Sequence, residues 1–425
     1  MIRHLFRYVL LFGVACFFFV RQVYVNLFGV DRAVTSAVFV AAMSLAGFLL
    51  LLERAKRSSP AFYVIDGILG VQFIVSGVVV GCYWLAGKIN SAEATYAIYY
   101  NCFAPLLLYI GFYLRKKNQK QIRGWLVAAT LVFVFMTIAA VLQVAGVDWW
   151  LFRNENWSFI KTFFGVPRAT AGYGTQIDFG LLCFIFFVCS FYAYFETKSV
   201  RSAFIAFLAF VGTLLTFSRM FIFAVVAVFI FQFLRPSVLS SLKRKGATVL
   251  ALALSAAIIV TVFQQLNIIA IFRAEDAITQ DSNEGRLLYV QTATKWLLED
   301  YPYVGSGPGT QNGPNDDTKT VSDFLWLALL IEFGFAAGII VVLLKIALPL
   351  VVIRNYLRSQ HRPAFATAAF VLSISFLLIS FIDSAFAHMV TISMYYIIVG
   401  HFLYSYYCRG TSNVSLQAVR CMTVG

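Results

Sequence analysis

Residues 173–195 read YGTQIDFGLLCFIFFVCSFYAYF, and from Phe179 to Phe195 no charged side chain interrupts the run. A helix rising ~1.5 Å per residue needs about 20 mostly apolar residues to cross a bilayer core of ~30 Å, so this stretch reads as a membrane span. The pattern repeats outward in both directions. Candidate spans fall at 5–20, 33–52, 61–83, 97–114, 124–146, 173–195, 202–217, 220–234, 247–264, 323–344, 364–383 and 386–407, twelve in all. The whole chain of 425 residues is 61% apolar and only 12% charged, with a mean hydropathy of +0.82. Soluble domains carry about a quarter charged residues, so a large soluble domain is excluded. The expected fold is an all-α polytopic membrane protein, a single integral membrane domain over residues 1–425. Arg3 and Arg7 before an apolar run resemble a signal peptide, but no small-residue cleavage site follows, so the first segment is expected to remain a helix.

The net charge of +14 does not imply nucleic acid, because the basic residues form short clusters between apolar runs rather than one soluble face. They read as topology signals. With the N-terminus inside, 21 of the 33 Lys and Arg fall in cytoplasmic segments and 11 in exterior ones, with Lys345 at a membrane end. The positive-inside rule then puts both termini in the cytoplasm. The seven cysteines lie in or beside apolar runs without metal-ligand spacing and read as small apolar residues.

Two exterior segments are long, 147–172 and 265–322. The larger is acidic, and within it Leu287, Leu288, Gln291, Thr294 and Leu298 recur at helical spacing, which predicts an amphipathic helix resting on the membrane or the bundle. From Pro302 to Pro314 the run holds four glycines and three prolines, a shaped loop through which neither helix nor strand continues. The spans do not divide into two similar halves, which weakens a transporter reading built on repeats.

Arginine beside a span is costly unless paired or facing a wet cavity. Arg168 in PRATAGYGT, Arg219 in TFSRM and Arg286 at the start of the amphipathic stretch all belong to the exterior side. Their forked guanidinium donors suit phosphate oxygens, so three converging arginines favour a phosphate or diphosphate ligand. The alternative is snorkelling or headgroup anchoring. Asp323 opens the tenth span as a helix cap or as a base. Glu332, nine residues on, is expected on the opposite face of the same span, paired inside the bundle. Asp66, Asp178, Asp383 and His388 read as structural, and Asp316 with Asp317 as a solvated acidic pair. Tyr173, Tyr289, Tyr301 and Tyr303 are candidates to stack on sugar rings near such a site. No P-loop, dinucleotide fingerprint, zinc motif or nucleophile elbow occurs.

Taken together, Arg168 followed by Gly172, the turn Thr216 to Arg219, Arg286 followed by Trp296, Pro302 and Gly305 to Thr310, and Asp323 before FLWLALLIEFG (Phe324 to Gly334) form an ordered set. In order and spacing it resembles the O-antigen polymerase and ligase family of bacterial envelope glycosyltransferases, over roughly residues 160–345. The resemblance implies a GT-C-like helical membrane fold with a large periplasmic loop carrying short helices. It implies transfer of a glycan from undecaprenyl diphosphate to a hydroxyl of a lipid-linked repeat unit, at the periplasmic face of the bacterial inner membrane. Arg168 and Arg286 would hold the departing diphosphate, Arg219 would assist, and Asp323 would take the acceptor proton. Such a donor is already activated, so no cofactor and no metal are demanded. Membrane lipids and the lipid-linked donor and acceptor are the implied partners, a chain-length regulator is compatible with the chemistry, and nucleic acid is not. The ligase branch usually carries a histidine where Asp323 stands, and an aspartate is ordinarily the weaker base. The polymerase branch is therefore expected, with ligase as the alternative. A lipid-linked sugar transporter and a scaffold protein are rivals from other classes.

Overall fold

A computed structural model describes residues 13–30, 32–55, 63–116, 119–147, 149–152, 162–163, 166–173, 176–233, 291, 294–300, 303, 305–310, 325–359, 363–380, 388–403 and 406. Its principal helices are α1 (Arg21–Phe28), α2 (Arg32–Ala55), α3 (Tyr63–Leu85), α4 (Ser91–Ile98), α5 (Leu108–Lys116), α6 (Gln119–Val144), α7 (Gln176–Thr197), α8 (Val200–Leu215), α9 (Arg219–Phe233), α10 (Leu325–Phe333), α11 (Phe335–Arg358), α12 (Ala364–Ile379) and α13 (Met389–Leu403). Four stretches, Tyr63–Leu85, Val127–Val144, Gln176–Thr197 and Phe335–Arg358, are long and apolar enough to cross a membrane, and Val34–Ala46, Val200–Leu215, Met220–Gln232, Phe365–Ile379 and Met389–Leu403 are shorter apolar helices. The span expected at 247–264 lies outside the described residues.

Lipid tails are as apolar as leucine, so helices in a membrane associate through close packing and buried hydrogen bonds. α7 shows this best. Of its most apolar window 67% is buried, against 28% for α3, which leaves α7 central and α3 peripheral. Phe186 of α7 stacks on Phe133 of α6 at 4.2 Å between ring centroids, and Phe187 meets Phe229 of α9 at 5.3 Å. Some polar residues inside the bundle are matched to one another. The Tyr109 hydroxyl donates to Asp66 Oδ1 at 2.8 Å, which accounts for that intramembrane carboxylate as a structural pair.

Two sequence expectations need correction. The span expected over 97–114 is broken: α4 gives way to a π turn over Tyr99–Phe103 and a short helical piece containing Pro105 before α5 begins. The Asn101 carbonyl accepts from Gln72 Nε2 of α3 at 3.1 Å, one of the side-chain bonds that make an irregular turn tolerable inside a bundle. Similarly, the span expected over 323–344 is divided. α10 ends at Phe333, Gly334 takes φ +75°, and the long apolar helix is α11, beginning at Phe335. Lys345 consequently sits well inside α11, buried, and not at a membrane end. Within the exterior segment 147–172, Thr162–Phe163 and Val166–Pro167 pair as two short antiparallel strands.

Candidate functional site

Of the sequence-derived candidates, Arg168, Tyr173 and Arg219 fall on described residues at one end of the bundle, where α3, α6 and α8 finish and α7, α9 and α11 start. Here Gln143, near the end of α6, turns its side-chain oxygen to the segment after Arg168 and accepts from Thr170 N–H at 3.0 Å and Ala171 N–H at 2.9 Å. The neighbouring Ala169 N–H donates to the Leu215 carbonyl of α8 at 3.0 Å. These bonds form a seam that places the Arg168 segment against the turn over residues 216–218. Beyond that turn Arg219 opens α9. The Thr216 hydroxyl ties the turn down by donating to the Thr213 carbonyl at 2.7 Å.

Backbone strain concentrates here too. Among the described residues, Ala171, Lys198 and Phe217 are the non-glycine positions with positive φ, and Ala171 and Phe217 lie on the two sides of this seam. A non-glycine residue holds that conformation only where its surroundings dictate it, as commonly happens at functional sites. Tyr173 is buried, its ring 5.0 Å from His388 and 6.4 Å from Phe179 by centroid, so it forms part of the wall. His388, read from sequence as structural, thus lies beside a candidate residue.

The Gly305–Thr310 loop docks on the break between α10 and α11. Ser306 N–H donates to the Ile331 carbonyl at 2.9 Å and Gly307 N–H to the Glu332 carbonyl at 3.1 Å. Gly305 has no room for a side chain, since a Cβ there would come within 2.3 Å of the Glu332 carbonyl oxygen and 2.4 Å of Gly334 N. From the other side, the Tyr83 hydroxyl of α3 donates to the Gly305 carbonyl at 2.9 Å. Just upstream, Thr294 and Lys295 are helical, Trp296–Asp300 form a π turn, and Lys295 pairs with Glu299 at 3.8 Å. Leu297 packs inward on Ile331, whereas Leu298, the residue chosen from the sequence, is exposed.

Tyr96 of α4 lies near both Asp178, in the first turn of α7, and Glu332, at the end of α10. The Arg168 segment, the 216–218 turn and the 305–310 loop therefore belong to one end of one bundle. Tyr303 is open to its surroundings at 85% exposure. Arg286, Tyr289, Tyr301 and Asp323 lie outside the described residues, as do Asp316, Asp317 and Asp383. Sequence reasoning passed over Gln143, Tyr83 and Tyr96 and placed Lys345 at a membrane end. A polar residue within an apolar run was the available signal for each.

Gln143→Leu should leave two buried N–H groups without their acceptor and cost about 2 to 4 kcal/mol. Thermal unfolding in detergent checks this, with Gln143→Glu, which keeps an acceptor, expected to lose less.

The fold is that of a multi-pass helical membrane protein in which the Arg168 segment and the turn leading to Arg219 meet at one end of the bundle. Residues 204–342 match the family model described as O-Antigen ligase. That match, from α8 into α11, supports the O-antigen polymerase and ligase family, whose members are membrane glycosyltransferase-like enzymes. No curated protein matches the chain.

Proposed function

We propose that the protein is a polysaccharide polymerase that transfers a growing glycan from undecaprenyl diphosphate to a hydroxyl of a lipid-linked repeat unit, at the periplasmic face of the bacterial inner membrane. The observation that carries this reading is the seam at Ala169 and Leu215, which puts the Arg168 segment beside the turn leading to Arg219. In the proposed step, the acceptor oxygen bonds to the anomeric carbon as the bond from that carbon to the diphosphate breaks. The hydroxyl proton passes to the Asp323 carboxylate, and the diphosphate departs with its charge held by Arg168 and Arg286. Arg219 assists from the start of α9, where free N–H groups also favour an anion. Such preorganised donors act where negative charge develops, which is the efficient place for them. Tyr289, Tyr301 and Tyr303 are assigned to stacking on sugar rings, and Tyr173 to the wall of the site.

Ligation of the glycan to lipid A core is the second reading, favoured by the O-Antigen ligase description of the matching family model. One assay separates the two. Purified protein is incubated with its lipid-linked repeat unit alone, without nucleotide or added metal, and the products are resolved by size. A ladder of longer lipid-linked chains is expected. Transfer only after a lipid A core acceptor is added would mean ligation, and no product in either case would favour transport.

A further inference from the structure

The 305–310 loop meets the α10–α11 break on one side, and on the other it lies against the connection between α3 and α4, which falls outside the residues 204–342 matched by the family model. That connection is closely bonded. Where α3 ends, Gly87 takes φ +66°, and Lys88 N–H and Gly87 N–H donate to the Tyr83 and Trp84 carbonyls, both at 3.0 Å. A left-handed glycine with this pair of bonds is a common way to finish a helix, and it fixes Tyr83 in the last turn. α4 then starts from a reciprocal cap, in which Glu93 N–H donates to the Asn90 side-chain oxygen at 2.9 Å and Asn90 N–H donates to Glu93 Oε2 at 2.8 Å.

Residues from both ends of this connection touch the loop. The Tyr83 hydroxyl donates to the Gly305 carbonyl at 2.9 Å, across 222 positions of sequence. A Cβ on Gly307 would come within 2.5 Å of Ile89 Cγ2 and 3.4 Å of Tyr83 Cδ1, and one on Gly309 within 2.5 Å of the Glu93 carbonyl oxygen. Gly305, Gly307 and Gly309 are buried. The loop is therefore held from two sides: Ser306 N–H and Gly307 N–H bond to the end of α10, while a hydroxyl and close backbone packing hold it from the α3–α4 side.

We infer that the α3–α4 connection is part of the functional site, with Tyr83 as a positioning residue whose hydroxyl keeps the 305–310 loop docked against the α10–α11 break. Displacement of a positioning element by about 1 Å can cost up to about a hundredfold in rate, even when the change is remote from the chemistry. The effect on transfer rests on the reaction proposed above, while the effect on docking does not.

The test measures hydrogen exchange of residues 305–310 together with kcat and KM for the parent's own transfer reaction, polymer-forming or ligating, in full-length protein in detergent. Tyr83→Phe keeps the ring and removes one oxygen, so the fold is retained while the buried Gly305 carbonyl loses its donor. Loop exchange should speed by about tenfold and kcat fall by about tenfold, with KM within about twofold and exchange in the core of α7 unchanged. Asn90→Ala acts on the connection alone, because Asn90 is exposed and its side chain caps α4 beneath Glu93; loop exchange should speed by about threefold. Parent-like loop exchange in either variant overturns the inference, as does faster exchange that leaves the kcat of Tyr83→Phe unchanged or that extends through α7. The predicted exchange pattern in a protein whose parent transfers to neither acceptor would leave Tyr83 in its docking role and remove the transfer reading instead.

Discussion

Arg168→Ala is expected to reduce chain elongation by about a hundredfold or more while the protein still accumulates in the membrane. The size follows from the role. A forked cation aimed at a departing diphosphate acts where charge appears during the reaction, and deleting one such donor typically costs about 10²–10³ in rate. The fold should survive because backbone bonds hold the segment: Ala169 N–H to Leu215, and Thr170 and Ala171 N–H to Gln143. None of these depends on the Arg168 side chain. Arg168→Lys keeps the charge but loses the paired donors, so partial activity is expected rather than recovery. Arg286→Ala should match Arg168→Ala if the two share one diphosphate. Glycan length profiles beside immunoblots of membrane fractions provide the check. Near-normal chains from Arg168→Ala would remove this residue from the transfer step, whereas loss of the protein itself would make its role structural.

The site was partly legible because short motifs report tight turns. Thr216 to Arg219 reads as a break between two apolar runs, and the structure has α8 ending at Leu215 and α9 starting at Arg219. Gly305 to Thr310 reads as a loop, and turns occupy that stretch. Hydropathy could not show where the tenth apolar run bends. Leucine and phenylalanine lie on both sides of Gly334, and apolar content carries no record of a positive φ. The misplacement of Lys345 follows from that single omission, because starting the long helix at Phe335 moves this lysine from a presumed end to the interior. Asp66 illustrates the same limit in milder form. A carboxylate in a span implies a partner, but only the packing of α3 on the region around α5 shows that Tyr109 supplies it.

Gly400→Leu is expected to prevent stable assembly of the bundle. α13 and α5 approach so closely that a Cβ on Gly400 would fall 1.9 Å from the Leu108 carbonyl oxygen and 2.7 Å from its carbonyl carbon. The crowding is reciprocal, since a Cβ on Gly111 would come within 2.1 Å of the Ile397 carbonyl oxygen and 2.5 Å of His401 N. Every nearest atom is backbone, so no rotamer change can relieve the clash. Small residues serve this purpose between membrane helices, where contact between backbones replaces the hydrophobic driving force available in water. Overpacking a core usually costs about 1–3 kcal/mol because side chains shift, but here the helices themselves must separate. The contacts at risk include the Tyr99 hydroxyl with Ser393 Oγ of α13 at 2.5 Å and the packing of Phe376 on Tyr395 at 4.8 Å. Gly400→Ala already introduces the offending atom and should lower thermal stability markedly, and Gly400→Leu should yield little monodisperse protein. Size-exclusion profiles and thermal unfolding in detergent measure both. A well-behaved Gly400→Leu protein would mean that α5 and α13 are not in backbone contact, and the arrangement of this side of the bundle would have to be redrawn.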